Sequence, residues 1–336
     1  MSIRPSPLIS YAQNGEDIIL ARALRPWENN GFWVDCGAGH PKFDSVTKLF
    51  SQFGWTGINI EPLGEEFILL RQDRPQDENI QCLLGAEEGM GIIYAGPAEN
   101  RGSSTTDPSL VKRYAKEFGQ TFRETQVPIR RLNDILREKP QPTIDFLKID
   151  VEGAEAAVLS GVDLKEFNPR IIIIEATRPN STDPSFETWE PLLLRSGYLF
   201  AFFDGLNRYY VNDSDLGLLQ PLSIPINVLD DYKTNVQLEI ENQNSDLKES
   251  SDASILYAES LANTLKEKDL LIADRQQKVI DAESRLVVVK RANKGLEVQL
   301  VILHDVKRQL DTIRSYRLFR FLSLAKKVLR KIGGRK

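Results

Sequence analysis

From Gly31 onward, short β-branched or aromatic runs alternate with stretches in which polar residues interrupt the apolar ones. That is the pattern of a parallel sheet buried on both faces by helices. Strands are predicted over residues 32–36, 57–61 and 80–84, with a helix over about 45–53 after the first. Between 96 and 126 the alternation is lost and Pro, Gly, Ser and Thr accumulate, which predicts a long excursion holding one short helix near 109–118. The rhythm resumes with a strand over 144–150, a helix over 154–159 and a strand over 170–175. Runs at 198–203 and 208–211, separated by Asp204-Gly205, read as a closing hairpin.

After about Asp231 Gly and Pro nearly vanish and aliphatics recur every seven residues. Leu265, Ile272, Val279, Leu286, Asn293 and Leu300 fall on one heptad position, and Ala282, Val289, Leu296, Leu303 and Leu310 on the other. β-Branched residues on the first seam and Leu on the second favour a parallel two-stranded coiled coil, with Asn293 setting register. Lys268 and Arg275 interrupt the early seam, and the alternative is one amphipathic helix packed on the preceding domain. Residues 315–336 mix Tyr316, Leu318, Phe319, Phe321 and Leu322 with Arg317, Arg320, Lys326, Lys327 and Arg330 and contain no acidic residue. Such a cationic amphipathic tail suits an anionic membrane surface. The expected division is therefore 1–231, a globular domain; 232–312, a coiled-coil helix; and 313–336, a basic tail.

Composition narrows the function classes. The net charge of −5 argues against nucleic acid as a partner. Cys36 and Cys82 are the only cysteines and lack metal or disulfide spacing, so a reducing, cytoplasmic setting is expected. Pro5, Pro7 and the polar Gln13, Asn14, Glu16 and Asp17 break any signal-peptide layout, and no apolar run has the length of a membrane span.

The chemistry gathers first at Val34-Asp35-Cys36-Gly37-Ala38-Gly39, a strand ending in an acid and a Gly-x-Gly turn. Glycines there let bare backbone approach a ligand. A dinucleotide turn needs a third glycine, but Pro41, Lys42 and Phe43 occupy that region, and the Gly-Lys-Ser/Thr of a phosphate loop is absent. S-adenosylmethionine needs only the close turn, backbone donors for its carboxylate and acids near its amine and ribose. Glu61, at the end of the second strand and followed by Pro62, stands where an acid can accept from vicinal ribose hydroxyls.

Four stretches carry a family resemblance: Tyr11-Ala12-Gln13-Asn14-Gly15-Glu16-Asp17, Val34 to Pro41 including His40, Gly57-Ile58-Asn59-Ile60-Glu61-Pro62, and Phe146-Leu147-Lys148-Ile149-Asp150-Val151-Glu152-Gly153-Ala154-Glu155. In order and spacing they resemble the FkbM family of S-adenosylmethionine-dependent O-methyltransferases over about residues 10–231. The resemblance implies an α/β, Rossmann-like class I methyltransferase fold, with a seven-stranded, mostly parallel sheet whose last strand is antiparallel. It implies methyl transfer to a hydroxyl, often on a saccharide of bacterial surface glycan or on a secondary metabolite. It also implies that Asp35, Gly37, Ala38, Gly39, Glu61 and Pro62 hold the cofactor, with Gln13, Glu16 and Asp17 as a lid.

Methyl transfer requires in-line alignment and removal of the hydroxyl proton. Asp150 ends the fourth strand, where open α/β sheets bind ligands, and is the first candidate for base or acceptor anchor. Lys148 and Glu152 share its side by the period-two rule, and Glu175 ends the next strand. Asp150 and Glu175 together could hold a divalent cation, although strand-end carboxylates also serve as helix caps. His40 is an alternative base or a cap of its own turn. Ser103, Ser104, Thr105 and Thr106 are candidates to meet the acceptor. Expected partners are a small-molecule or glycan acceptor, a second copy through the coiled coil, and the inner membrane surface. The rival readings are a non-catalytic scaffold that docks glycan-assembly enzymes and a nicotinamide-dependent oxidoreductase, which the missing third glycine disfavours.

Overall fold

A computed structural model describes residues 4–97, 101–138, 142–179, 181–292, 305–315 and 323. The chain divides into two compact units, Met1–Asn244 and Ser245–Lys336.

The first unit contains, in chain order, β1 (Leu8–Ser10), α1 (Glu16–Leu24), β2 (Phe32–Cys36), α2 (Lys48–Gln52), β3 (Thr56–Ile60), α3 (Gly64–Asp73), β4 (Glu78–Ile80), β5 (Leu83–Leu84), β6 (Gly89–Ala95), α4 (Pro108–Phe118), β7 (Arg123–Arg130), α5 (Leu132–Arg137), β8 (Phe146–Ile149), α6 (Glu155–Ser160), α7 (Leu164–Phe167), β9 (Ile171–Glu175), α8 (Glu190–Arg195), β10 (Tyr198–Phe203), β11 (Asn207–Asn212), α9 (Leu219–Leu222) and β12 (Tyr232–Thr234). A long helix, α10 (Asn235–Ala292), follows.

The main sheet has seven strands in the order β10-β11-β9-β8-β2-β3-β4. β4, β3, β2, β8 and β9 run parallel, and β11, the last strand of this sheet along the chain, lies antiparallel to both β9 and β10. The central strands β2, β3, β8 and β9 are mostly apolar because both of their faces are covered. Ile172 and Ile174 join Val34, Leu147, Val158 and Leu193 in one core. Ile171 and Ile173 join Trp33, Phe146, Phe50 and Leu20 in the other, beneath α1 and α2. Period-two alternation thus divides the isoleucine run 171–174 of β9 between two cores.

The structure corrects the expected third strand over 80–84. β4 pairs with β3 in the main sheet, whereas β5 pairs with β7 in a separate three-stranded sheet ordered β5-β7-β6. One apolar run therefore serves two sheets, and hydrophobicity alone does not show where the chain leaves the first. β6 and β7 were also outside expectation. β7 carries Arg123, Glu124, Gln126 and Pro128, too polar to read as a buried strand, yet it pairs with β6 along seven residues of the latter. Within the excursion the helix expected near 109–118 is α4, with Asp107 accepting from the Ser109 N–H at 2.7 Å, Pro108 in the first turn and Gly119 closing its end.

β12 pairs with β1, so the first unit runs past Asp231, because loss of Gly and Pro marks the start of helical composition and not the last sheet contact. In the second unit α10 continues to Ala292 and residues 305–315 are helical. Lys307 Nζ stands 3.9 Å from Glu283 Oε1. A single straight helix would hold these residues about 36 Å apart, so the two helical segments lie side by side. Asn293, Leu296, Leu300, Leu303 and most of the basic tail lie outside the described residues. No helix among the described residues is long and apolar enough to cross a membrane.

Candidate functional site at the strand carboxyl ends

On the face beneath α1 and α2, the last inward position of each central strand is polar. Asn59, Asp35 and Lys148 pair in register across β3, β2 and β8. Asn207 pairs with Glu175, and because Ile149 pairs with Ile174, Asp150 stands level with Glu175 one step further along.

Lys148 is the centre of this row. Its ammonium, 7% exposed, lies 3.1 Å from Asp150 Oδ2 and 3.7 Å from Asp35 Oδ1. Burial alone would lower its pKa, but Asp150 and Asp35 outweigh that and keep it charged well above its usual range. Asp35 is buried, accepts from Thr47 Oγ1 at 3.3 Å and has its own pKa raised by burial, against the pull of Lys148 and Arg74. Arg74, fully buried, donates to Pro41 O at 2.7 Å, to Ser45 Oγ at 2.8 Å and to Thr47 Oγ1, and so pins the loop between the Gly-x-Gly turn and α2.

The turn itself meets the requirement for glycine in two ways. At Gly37 a β-carbon would stand 1.8 Å from the carbonyl oxygen of Asp150, so the turn and the end of β8 touch backbone to backbone. At Gly39, with φ 59°, a β-carbon would meet nothing within 4 Å, so this side of the turn is open. The Gly37 and Ala38 N–H groups donate to Ile60 O at 3.0 and 3.1 Å. Glu61 accepts from the Gly39 N–H and the Leu63 N–H, each at 2.8 Å, around Pro62. Burial pushes its carboxyl up to about 7 despite those two donors. Each of its oxygens keeps one lone pair beyond these bonds.

The remaining candidates separate by their partners. Glu16 and Asp17 do not project as a lid, because they form the first turn of α1 and are buried. Asp17 accepts from Ser10 Oγ and the Tyr11 and Ala12 N–H groups, and Glu16 from the Asn14 N–H and Asn207 Nδ2. Gln13 is exposed. His40 Nδ1 accepts the Lys42 and Phe43 N–H groups at 3.1 Å each, which commits its lone pair to capping the turn. Ser104 Oγ accepts from the Gly96 N–H and Thr105 Oγ1 from the Asp107 N–H, so both brace the excursion.

Glu152 occupies a left-handed position, φ 54°, before Gly153, in a turn held by Glu155 Oε1 accepting from Gly153 N–H at 3.0 Å. Burial, then Asp150, raise the pKa values of Glu152 and Glu175 far above the carboxyl range. Among the described residues no three His, Cys, Asp or Glu side chains are grouped to hold a metal ion. A cleft of about 340 Å³ opens beyond Glu61, between the start of α3 (Leu63, Glu65, Glu66) and the excursion (Ala95, Ser104, Phe122).

Thr47, Arg74 and Asn207 organise this end of the sheet and were not singled out by sequence. Thr47 follows the glycine turn closely enough to have been suspected; a lone Arg at a helix end and an Asn in a hairpin carry no such signal.

The family model for the methyltransferase FkbM domain matches residues 35–200. The chain carries an FkbM methyltransferase domain. The matched stretch begins at Asp35 and takes in the glycine turn, Glu61, Lys148, Asp150 and Glu175. Methyltransferase sdnD of Sordaria araneosa is 35% identical over 104 residues, which cover 28% of this chain and 37% of that protein. Methyltransferase 1 of Beauveria bassiana (strain ARSEF 2860) is 28% identical over 160 residues, 42% of this chain and 61% of the relative. The chain thus spans less than two thirds of either relative. A crystal structure of methyltransferase FkbM from Methylobacillus flagellatus KT shares 18% identity, covering 55% of this chain and 44% of that one, with a TM-score of 0.33.

Proposed function

We propose that this FkbM domain transfers a methyl group from S-adenosylmethionine to a hydroxyl oxygen, with a saccharide as the acceptor class. The observation that carries the reading is the meeting of the open glycine turn with the Asp35–Lys148–Asp150 row, backbone to backbone at Gly37. The residues present fit the cofactor: an unobstructed Gly39, a buried Glu61 with spare lone pairs, and an Asp35 Oδ1 without a hydrogen-bond donor among the described residues. When bound, the cofactor supplies an electrophilic methyl carbon on a sulfonium. Gly37, Ala38, Gly39 and Pro62 would shape its seat and Glu61 would accept from its ribose hydroxyls.

Asp150, with its side chain one-third exposed, is the group placed to take the acceptor proton at Oδ1 or Oδ2. Lys148 holds that carboxylate in position, and Asp35 in turn holds Lys148. A neutral hydroxyl aligned at this point would give up its proton to Asp150, an arrangement that would owe its rate to position and proton transfer.

Isothermal calorimetry of the full chain with S-adenosylmethionine and with S-adenosylhomocysteine tests the reading. Saturable heat for both is expected, and absence of binding would refute it. The helical unit is proposed to pair two copies and, with the basic tail, to approach anionic membrane from the surface. Sedimentation of the full chain as a monomer would remove the pairing.

A further inference from the structure

Two buried polar atoms at the end of β9 find no hydrogen-bond partner among the described residues: Glu175 Oε2 and Thr177 Oγ1. Both residues are more than nine-tenths buried, at 8% and 4% exposure. Leaving such an atom unpaired is costly, so a folded protein has reason to satisfy it when a ligand is present. The two atoms belong to one face. Ile172, Ile174 and Ala176 point into the core on the opposite side of the strand, and the Thr177–Pro184 bridge extends the pairing beyond β9, which leaves positions 175 and 177 together on the side of Lys148.

The excursion covers this place. Tyr114 Oη and Arg113 Nη2, on α4, both donate to Pro179 O, at 3.3 and 3.4 Å. A β-carbon on Gly102 would come 3.9 Å from Glu152 Oε1, and one on Gly153 3.9 Å from Pro179 Cγ. The ends of β8 and β9 are therefore roofed by the one segment whose composition departs from the α/β rhythm. Beneath that roof stand Asp150, Glu152 and Glu175, with Lys148 as the cation that faces them.

We propose that Glu175 and Thr177 form the acceptor subsite and that it takes an uncharged acceptor presenting adjacent hydroxyls. The inference rests on the methyltransferase reading and deepens it. A hydroxyl both donates and accepts, which matches a carboxyl holding its proton and a threonine hydroxyl. A phosphate or carboxylate on the acceptor would meet the Asp150 carboxylate, while the one ammonium facing this place is already paired with Asp150 and Asp35. An ammonium would require Glu175 to ionise where burial and Asp150 oppose it.

Calorimetry on the full chain saturated with S-adenosylhomocysteine tests this, using a panel of methyl hexopyranosides, the corresponding hexose 6-phosphates and methyl 2-amino-2-deoxyhexosides. At least one neutral glycoside is expected to bind, and its phosphate to bind about tenfold more weakly or worse. Glu175→Leu and Thr177→Val should each weaken the glycoside about tenfold. Glu175→Gln, which keeps one donor and one acceptor, should stay within about threefold. S-Adenosylhomocysteine affinity should be unchanged in all three variants. No glycoside binding, equal or better binding of phosphates or aminoglycosides, or variants indistinguishable from the wild type would overturn the proposal. So would a Glu175→Gln loss as deep as that of Glu175→Leu. Failure of S-adenosylhomocysteine to bind at all would instead refute the methyltransferase reading.

Discussion

Asp17 and Glu175 are both carboxyl groups deep in the first unit, and their surroundings are opposite. Asp17, at 0% exposure, accepts three hydrogen bonds within seven residues of itself, at 2.7, 2.7 and 3.3 Å. Glu175, at 8%, has an oxygen with no partner among the described residues and the acids Asp150 and Glu152 for neighbours. Burial pushes both up, Asp17 to about 6 and Glu175 much further. Depth therefore does not separate a structural acid from a functional one; what separates them is whether the fold has already answered the group's hydrogen bonds.

The largest expected effect tests the structural member. Asp17→Ala strands the Ser10 hydroxyl and the Tyr11 and Ala12 N–H groups, and should lower unfolding free energy by about 3–5 kcal/mol in urea titration. Glu175→Leu, of similar burial, should change it by less than about 1 kcal/mol, since an apolar side chain replaces an acid whose buried Oε2 has no partner among the described residues. Equal losses would erase the distinction. Next is Asp150→Asn, which keeps shape and removes the proton acceptor. Turnover should fall by at least about 100-fold, while calorimetric affinity for S-adenosylmethionine stays within about threefold. Surviving turnover would move the base elsewhere.

The same contrast explains what could be read from the sequence. Periodicity placed β2, β8, β9 and the β10–β11 hairpin because double burial makes them apolar blocks bounded by turn residues. Gly37, Gly39 and Asp150 were legible because a close backbone approach and a strand-end acid leave marks in one dimension. That Asp17 is a brace and Glu175 an unanswered acid was not legible, since it depends on which donors arrive from elsewhere. Arg74 is the sharpest case: its partners at 41, 45 and 47 lie about thirty residues away and share no motif with it. The three-stranded sheet was missed for a different reason. β7 is largely solvent-facing, so its pairing with β6 is carried by backbone hydrogen bonds that impose little hydrophobic pattern.

The smallest effect, a shift of thermal midpoint with pH, sharpens the comparison most finely. Glu16 and Glu61 are raised to about 7, and Glu152 and Glu175 are raised further still, from an ordinary 4.5. A carboxyl that holds its proton more tightly folded than unfolded makes the folded state bind more protons between those two values, so stability must fall as pH rises through that window. The midpoint of the ligand-free chain should therefore drop by several degrees between pH 5.5 and 8.5. Glu175→Gln removes one such group without disturbing a hydrogen bond that the fold makes, and should flatten the slope over the upper part of the range. Asp17→Asn should leave that part unchanged, because Asp17, at about 6, has completed its titration below it. A slope of the opposite sign would mean that the acids at the ends of β8 and β9 are ionised in the free protein, and the case for an uncharged acceptor would lose its electrostatic support.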